Sequence, residues 1–311
     1  MSHDVQREFA MTAAEPSAAS GAPCPFADSA VTVLADGFQF IEGPVWQAET
    51  SRLLFNDIPA ATAYAWSAAA GVETLRSESN KANGQVIDTE GRLVVCEHLT
   101  NALVVIDHDG ARHVLASEFQ GQPLNSPNDV VLGPDGSLLF TDPPFGRVEA
   151  PMGEVRPVEL GFCGVYQWLP TGELRLLTTR LAQPNGLCLS LDQARLYVCD
   201  TATGDIVEFA TSWRDSGLIV DDARLFARVP QDPVLPGKAD GLKVDARGNI
   251  WCTGLGGVHV FDPTGRPLGL LDAGEPVANF AWGGIDGRDL YLTATTTLRH
   301  VRTTVAGAAW V

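Results

Sequence analysis

Six copies of one short strand pattern run along this chain, and they constrain its fold more than any other feature. Each copy is an apolar strand that follows a turn containing Gly, Asp, Asn or Arg and that usually ends in a small or acidic residue. The six strands begin at Leu53, Leu93, Leu138, Leu196, Ile250 and Leu290. Their spacing of 40 to 58 residues suits a blade of four antiparallel strands with loop insertions. The repeats therefore predict an all-β fold, a six-bladed β-propeller.

The rest of the chain agrees with this fold class. The 31 glycines and 20 prolines supply turns at short intervals. Long amphipathic helix patterns are absent, and a short helix is allowed only near residues 211–215. Residues 1–30, rich in Ala, Ser and Pro, are expected to form a flexible N-terminal leader, and residues 31–311 the propeller domain.

Charge and composition exclude several classes of partner. Lys plus Arg number 21 and Asp plus Glu 38, a formal net charge of −17, which disfavours nucleic acid and anionic membrane surfaces because both require a basic face. There is no apolar run of about 18 residues and no basic segment leading into an apolar one, so we expect no membrane span, no secretory signal and a cytoplasmic location. The six cysteines show no zinc spacing and are expected to be free thiols. The oligomeric state stays open.

A second regularity accompanies the repeats. Ten or eleven residues before each strand start lies a side chain that carries oxygen. The six are Glu42, Asn83, Asn128, Asn185, Asp240 and Asn279. Equivalent positions in the blades of a propeller lie on a ring around its axis, so these side chains are predicted to converge on the central channel.

Two of these six side chains are carboxylates, which are costly to bury without a partner. Glu42 and Asp240 would balance one divalent cation, with Asn128 and Asn185 as neutral oxygen ligands. An all-oxygen set favours a hard ion, Ca²⁺ first and Mg²⁺ or Mn²⁺ next, while Zn²⁺ or Fe²⁺ stays open. Asn83 and Asn279 are expected beside the ligands or facing a substrate. The alternative is that these residues only cap the entries of strands.

Several motifs resemble the gluconolactonase family, which includes regucalcin and the luciferin-regenerating enzymes. The resemblance runs from about residue 36 to the C-terminus. It rests on LNSPNDVV at 124–131, FTDPPFG at 140–146, CEH at 96–98, GVY at 164–166, PNGL at 184–187 and DGLKVD at 240–245. Together these motifs form a specific signal, although each one alone is weak.

The resemblance implies a six-bladed propeller that uses one divalent metal ion to hydrolyse a small-molecule sugar lactone to the hydroxy acid. Glu42, Asn185 and Asp240 match the family's metal-binding positions. Asn128 matches a position that binds the metal, directly or through water, and also meets substrate. The predicted metal set is therefore Glu42, Asn128, Asn185 and Asp240.

The chain departs from the family pattern at three places. Where relatives often carry Lys-Arg, Gly-Asn-Arg and an Asn, this chain has Gln122-Pro123, Leu99-Thr100-Asn101 and Cys163. These changes remove cationic or amide groups that were expected near the pocket rim. They predict a substrate less polar than gluconolactone.

A mechanism follows from these residue types. Asp240 is the predicted catalytic residue, either as the general base for an attacking water or as a nucleophile. Asn128, Ser126, His98 and Asp142 are predicted to bind substrate. Open alternatives are an ester or organophosphate hydrolase at the same metal, a non-enzymatic metal-binding propeller, and a lyase or synthase on the same fold.

Overall fold

A computed structural model describes residues 24–26, 30–214 and 216–308 of the chain. Within them the backbone forms six four-stranded antiparallel sheets and one two-stranded sheet. Each four-stranded sheet is one blade, and the apolar strand of each sequence repeat is the second strand of its blade. The six-bladed propeller predicted from the repeats is confirmed.

The first three blades follow one another along the chain without crossovers. Blade 1 consists of β2 (Ile41–Gln47), β3 (Arg52–Asp57), β4 (Thr62–Ser67) and β5 (Gly71–Ser77), with a 3₁₀ turn at Ala48–Thr50. Blade 2 consists of β6 (Ala82–Ile87), β7 (Leu93–Glu97), β8 (Ala102–Ile106) and β9 (Arg112–Ala116). The small hairpin of β10 (Glu118–Phe119) and β11 (Gln122–Pro123) leads to blade 3. Blade 3 consists of β12 (Val130–Leu132), β13 (Leu138–Asp142), β14 (Gly164–Trp168) and β15 (Leu174–Thr178), with helix α1 (Phe145–Val148) between β13 and β14.

The remaining three blades complete the circle. Blade 4 consists of β16 (Pro184–Leu189), β17 (Arg195–Asp200), β18 (Asp205–Arg214) and β19 (Gly217–Arg228). Blade 5 consists of β20 (Leu242–Val244), β21 (Ile250–Gly254), β22 (Gly257–Phe261) and β23 (Pro267–Leu271). Blade 6 consists of β24 (Asn279–Gly283), β25 (Asp289–Ala294), β26 (Thr297–Arg302) and β1 (Thr32–Ala35). Strand β1 comes from the start of the domain and pairs with β26, Thr32 opposite His300, so the two ends of the propeller are joined in one sheet.

The first strands of the blades form the innermost layer. β2 contacts both β6 and β24, and β12, β16 and β20 continue the contacts around a closed ring. The hydrophobic core lies both between and within blades: Trp251 of blade 5 packs edge-on against Trp282 of blade 6, and Phe140 and Tyr166 stack within blade 3. Burying one side chain of this size stabilises the fold by about 1.5–3 kcal/mol.

The structure differs from the sequence expectation at residues 211–215. No helix forms over the described part of this segment, because Thr211–Arg214 is the end of strand β18. The hairpin of β18 and β19 keeps pairing out to Arg214 and Gly217, and the Trp213 indole donates to the carbonyl of Gln193. Cross-strand pairing here overrides local preference. Asp215 lies outside the described residues.

Most of the predicted leader, residues 1–30, also lies outside the described residues. Residues 24–26 are described and pack on the propeller. Phe26 is buried against Trp251, and the carbonyl of Pro25 accepts a hydrogen bond from the amide of Thr304. Among the described residues, no helix has both the length and the apolar character that crossing a membrane requires.

Candidate active site

A cavity of about 590 Å³ opens at one end of the propeller axis. Five of the six oxygen-bearing residues at equivalent repeat positions line it: Glu42, Asn83, Asn128, Asn185 and Asp240. Asn279, the sixth, lies behind Glu42, to which its Nδ2 donates at 2.5 Å. The repeat offset therefore predicted correctly which side chains meet at the axis.

Irregular pairing at the start of the innermost strands places these side chains. The register between β2 and β3 shifts directly after Glu42, and those of β6 with β7 and β16 with β17 shift in the segments that contain Asn83 and Asn185. A bulge of this kind re-aims a side chain while the strand continues. Gly43 is required there because its φ is +60° and a Cβ would lie 2.0 Å from the carbonyl oxygen of Asn83.

Backbone hydrogen bonds between blades hold the ring closed. The amide of Gly84 donates to the carbonyl of Asn128 at 2.8 Å, and the amide of Gly186 donates to the carbonyl of Asp240 at 2.9 Å. In each case the glycine that follows one axial residue contacts the axial residue of the next blade. The side chains at the axis therefore sit on a rigid frame.

Glu42 is the most enclosed carboxylate of the site, 3% exposed. Its burial raises its pKa well above the ordinary value, and the charge of Asp240 raises it further, while the hydrogen bond from Asn279 opposes the shift. Its Oε1 accepts that bond. Its Oε2 is among the buried polar atoms of the described residues that have no hydrogen-bond partner.

Asp240 lines the same cavity as Glu42 and lies just before the first strand of blade 5. Burial raises the pKa of Asp240 to about 7, the charge of Asp129 adds to this, and the Asn185 side chain opposes it. Asn185 donates its Nδ2 to the hydroxyl of Thr201 at 3.0 Å, so its amide oxygen stays available for another ligand. Two carboxylates that disfavour each other's ionised form therefore share one cavity with amide oxygens.

His98 lies on the cavity wall and is 1% exposed. Its Nε2 pairs with Asn83 Nδ2 at 3.1 Å and its Nδ1 with the carbonyl of Met152 at 3.0 Å. Because an amide nitrogen only donates and a carbonyl only accepts, this pairing corresponds to the neutral ring with its proton on Nδ1. Burial lowers the pKa of His98 to about 4. His98 is thus placed where it was predicted, as a neutral group whose ring nitrogens are both engaged.

Asp142 and Ser126 do not line the cavity, which is a correction to the substrate contacts predicted for them. Asp142 is fully buried and accepts from the amides of Asn125 and Ser126 at 2.9 and 2.8 Å. The Ser126 hydroxyl donates to the carbonyl of Pro143 and accepts from the amide of Gly146. The polar atoms of both side chains are thus hydrogen-bonded to the backbone. Both residues therefore stabilise the loop that carries Asn128.

The three sequence departures also lie away from the cavity lining. Gln122 and Pro123 form the exposed strand β11, and Asn101 Oδ1 accepts from the guanidinium of Arg156. Cys163 is partly buried outside the lining. The prediction that these three changes remove polar groups from the pocket rim was therefore wrong.

One buried ion pair at the axis was missed in the sequence. Lys243 Nζ lies 3.2 Å from Asp129 Oδ2, and Asp129 is 3% exposed. Burial alone would lower the pKa of Lys243, but the charge of Asp129 and the hydrogen bond that Lys243 donates to it raise this pKa above the ordinary value. The available signal was a lysine inside the short apolar strand Leu242–Val244. The ammonium group of Lys243 acts on both Glu42 and Asp240, whose pKa values it lowers.

The donor set fits a hard divalent cation. Glu42 Oε2 is buried with no partner, and the burial that raises the pKa of Glu42 and Asp240 is the penalty that a cation would offset. Carboxylate and amide oxygens are the ligands that such ions prefer. No group of three His, Cys, Asp or Glu side chains with metal-site spacing occurs in the described chain, so a cation here would depend on the asparagines.

The fold and this site together define a class of protein, the six-bladed propellers with an axial cavity of oxygen donors. Within that class, the chain belongs to the SMP-30/Gluconolactonase/LRE-like family, whose profile matches residues 40–296. The family membership expected from the motifs is confirmed.

Similar proteins are found by sequence and by structure. A gluconolactonase of Zymomonas mobilis is 31% identical over 295 residues, which cover 89% of this chain and 82% of the relative. A pentonolactonase of Haloferax volcanii is 27% identical over 255 residues, which cover 81% of this chain and 80% of that one. The structure of a gluconolactonase from Xanthomonas campestris superposes with a TM-score of 0.83 at 33% identity, covering 90% of this chain and 91% of that chain.

Proposed function

We propose that this protein is a lactonase that hydrolyses a lactone ring to the hydroxy acid with the help of one divalent cation. The observation that best supports this proposal is that Glu42 and Asp240, two carboxylates with raised pKa values, line one open cavity together with Asn128 and Asn185. The similar gluconolactonases and pentonolactonase support the reaction class.

Glu42, Asn128, Asn185 and Asp240 would hold the cation, Ca²⁺ being the best match to the all-oxygen set. When bound, such a cation polarises a carbonyl and makes a coordinated water more acidic. Asn279 orients Glu42, and Thr201 orients Asn185 through the hydrogen bonds described above.

Asp240 is the group that moves the proton. Its carboxylate lines the cavity beside the amide oxygens, so in its ionised form it can accept a proton from the water that attacks the lactone carbonyl carbon. The ring C–O bond then breaks, and the proton held on Asp240 goes to the departing alkoxide oxygen. The Asn128 side chain lines the cavity and makes no hydrogen bond within the described chain, so it is placed to hold the substrate carbonyl or hydroxyl.

An alternative route at the same residue is direct attack by Asp240 Oδ on the carbonyl carbon, which would break the ring C–O bond, release the alkoxide and form a mixed anhydride with the chain that water then hydrolyses. A single turnover in ¹⁸O-labelled water separates the two. Attack by water puts ¹⁸O only in the product, whereas water that opens the anhydride at its aspartyl carbonyl leaves ¹⁸O on Asp240 and an Asp240 oxygen in the product, so label on the aspartate identifies direct attack.

The proposal is tested by acid release from a panel of lactones, with chelated protein, protein refilled with single metals, and Asp240→Asn. We expect turnover that requires a divalent cation and falls by about 10²–10⁴-fold in the variant. Asp232→Asn, on the same connection but outside the cavity, is the matched control. A folded, metal-loaded protein that hydrolyses esters or phosphotriesters but no lactone would move the proposal to that class of hydrolase.

A further inference from the structure

The cavity has two chemically distinct zones. Its floor is the polar axial ring. One part of its wall, here called the apolar wall, consists of apolar side chains supplied by loops at the mouth of the propeller, while His98, Glu149, Gln183 and Thr295 form polar parts of the wall. The residues of the apolar wall are Phe40, Ile58, Phe145, Met152, Pro236 and Val277. Phe145 and Met152 belong to the long connection between β13 and β14, and Pro236 to the connection between β19 and β20. A substrate that reaches the floor can therefore lie against hydrocarbon on this side of the cavity.

The wall connection is fixed in place. The buried guanidinium of Arg147, 1% exposed, donates to the carbonyls of Leu124 and Pro157 and pairs with Glu159. The amide of Gly153, next to Met152, also donates to the carbonyl of Glu149. Together these contacts hold the segment that carries Phe145 and Met152. The apolar wall is thus a built surface that exists before any substrate binds.

Several hydrogen-bonding side chains around the cavity are already engaged by the protein, whereas those of Asn128 and Gln183 make no hydrogen bond within the described chain. Both ring nitrogens of His98 are engaged, and the hydroxyls of Thr201 and Thr295 donate to the carbonyls of Ala239 and Pro276. The Glu275 carboxylate accepts from Thr296, Thr297 and Arg299. A sugar lactone presents several hydroxyls, and each loses hydration on entry unless the site replaces its hydrogen bonds.

The charges of the lining also discriminate. A divalent cation would balance Glu42 and Asp240, which leaves Glu149 and Glu275 against Lys238, the one cationic side chain among the described residues that line the cavity. Glu275 is itself paired with Arg299 at 3.1 Å, so the lining has no surplus of positive charge to attract an anionic substrate. A phosphate group would lose hydration on entry without a dedicated cationic partner.

We infer that the preferred substrate is an uncharged lactone with an apolar substituent, and that polyhydroxylated and phosphorylated sugar lactones are poorer substrates. This inference rests on the proposed lactonase function. The polar floor carries out ring opening on the lactone group, and the wall formed by Phe40, Phe145 and Met152 accepts the hydrocarbon.

The test compares kcat/KM for three probes, a hexonolactone, its 6-phosphate and a hexyl-substituted δ-lactone, on the metal-loaded full chain. We expect the hexyl lactone to be preferred over the hexonolactone by at least about tenfold and the phosphate to be the slowest. Met152→Gln and Phe145→Gln should each lower the ratio of hexyl lactone to hexonolactone by about tenfold. Val148→Gln, on the same helix as Phe145 but 50% exposed and outside the lining, is the matched control and should leave the ratio unchanged.

The outcomes separate the two proposals. A preference for the hexonolactone or its phosphate overturns the inference while the lactonase assignment stands. Turnover of none of the three probes overturns the lactonase assignment and the inference with it. If the wall variants do not fold, the ranking of the probes by the unaltered protein still decides.

Discussion

At the axis, the chemistry of each side chain depends on which of its atoms the fold leaves unused. Glu42 Oε1 accepts a hydrogen bond from Asn279 while Oε2 has no partner, and the Asn185 amide nitrogen donates to Thr201. In both residues a neighbour binds one polar atom and one oxygen stays unpaired. Asn279 and Thr201 thus determine that oxygens, rather than N–H groups, are available at the site.

His98 leads to a prediction about acid stability. Its folded pKa of about 4 lies below the unfolded value near 6.5, so the unfolded chain binds more protons between these values. The stability that the neutral ring contributes is complete above about pH 6.5 and is lost as pH falls toward 4. The full loss is about 3 kcal/mol, and His98→Gln should show a correspondingly shallower fall of unfolding free energy over this range.

The measurement for His98 is urea unfolding at several pH values together with NMR of the imidazole ring. The ring should stay neutral, with its proton on Nδ1, at pH 5. A ring that titrates near 6.5, or a variant with the same pH slope as the unaltered protein, contradicts this account.

At the scale of elements, an aspartate at the end of a second strand recurs as a structural device. Asp57, Asp142 and Asp200 each accept two backbone amides from the segment that precedes the innermost strand of their own blade. The distances run from 2.7 to 3.2 Å. The same geometry in three blades shows that Asp142 serves the repeat, and the acidic strand ends in the sequence were the signal for it.

Replacing such an aspartate by asparagine should cost stability in each of the three blades. An amide has one accepting oxygen, so one backbone N–H loses its acceptor and faces an NH₂ group. We expect Asp142→Asn to lower the free energy of unfolding by about 1–3 kcal/mol, and Asp57→Asn and Asp200→Asn to do the same. Urea unfolding measures this, with the exposed Asp109→Asn as a control expected within about 0.5 kcal/mol of the unaltered protein. Loss of lactone turnover in Asp142→Asn without loss of stability would restore a direct role in the reaction.

The bulge at Glu42 gives a matched pair of glycine substitutions. Gly43 and Gly37 both have positive φ, +60° and +89°, but a Cβ at Gly37 would meet nothing within 4 Å, whereas one at Gly43 would meet the Asn83 carbonyl. Gly37→Ala should cost only about 1 kcal/mol of backbone strain. Gly43→Ala should cost about 1–3 kcal/mol more because Asn83 must shift. Equal unfolding free energies for the two variants would show that the bulge can relax and does not fix the axial ring.

For the whole molecule, sequence regularity predicted what the repeats share and failed where the chain is irregular. The strands and the axial residues recur at fixed offsets, so one pattern determined six positions at once. The cavity wall comes from loops that differ in every blade, so Phe145 and Met152 carried no periodic signal. Lys243 and Asp129 meet only because blades 3 and 5 both face the axis, a contact between residues far apart in the chain.

The ion pair between Lys243 and Asp129 contributes to the net charge of the axial site. Glu42, Asp240 and Asp129 oppose one ammonium group, which leaves a balance that one divalent cation would neutralise. Lys243→Met leaves the buried Asp129 without its partner, so we expect the metal-free protein to lose about 3–5 kcal/mol of unfolding free energy. The same change makes the axis more negative, so its affinity for Ca²⁺ should rise even though the fold is weaker.

Two measurements on the same samples check this pair of opposite effects, urea unfolding of chelated protein and calorimetric titration with Ca²⁺. Lys238→Met is the matched control, since Lys238 is exposed at the mouth and its charge is screened by solvent, so both quantities should change little. The double variant Asp129→Asn/Lys243→Met removes both charges and should recover most of the Ca²⁺ affinity of the unaltered protein. A single variant Lys243→Met that binds Ca²⁺ more weakly would mean that Lys243 acts only by packing, because an electrostatic role requires stability and affinity to move in opposite directions.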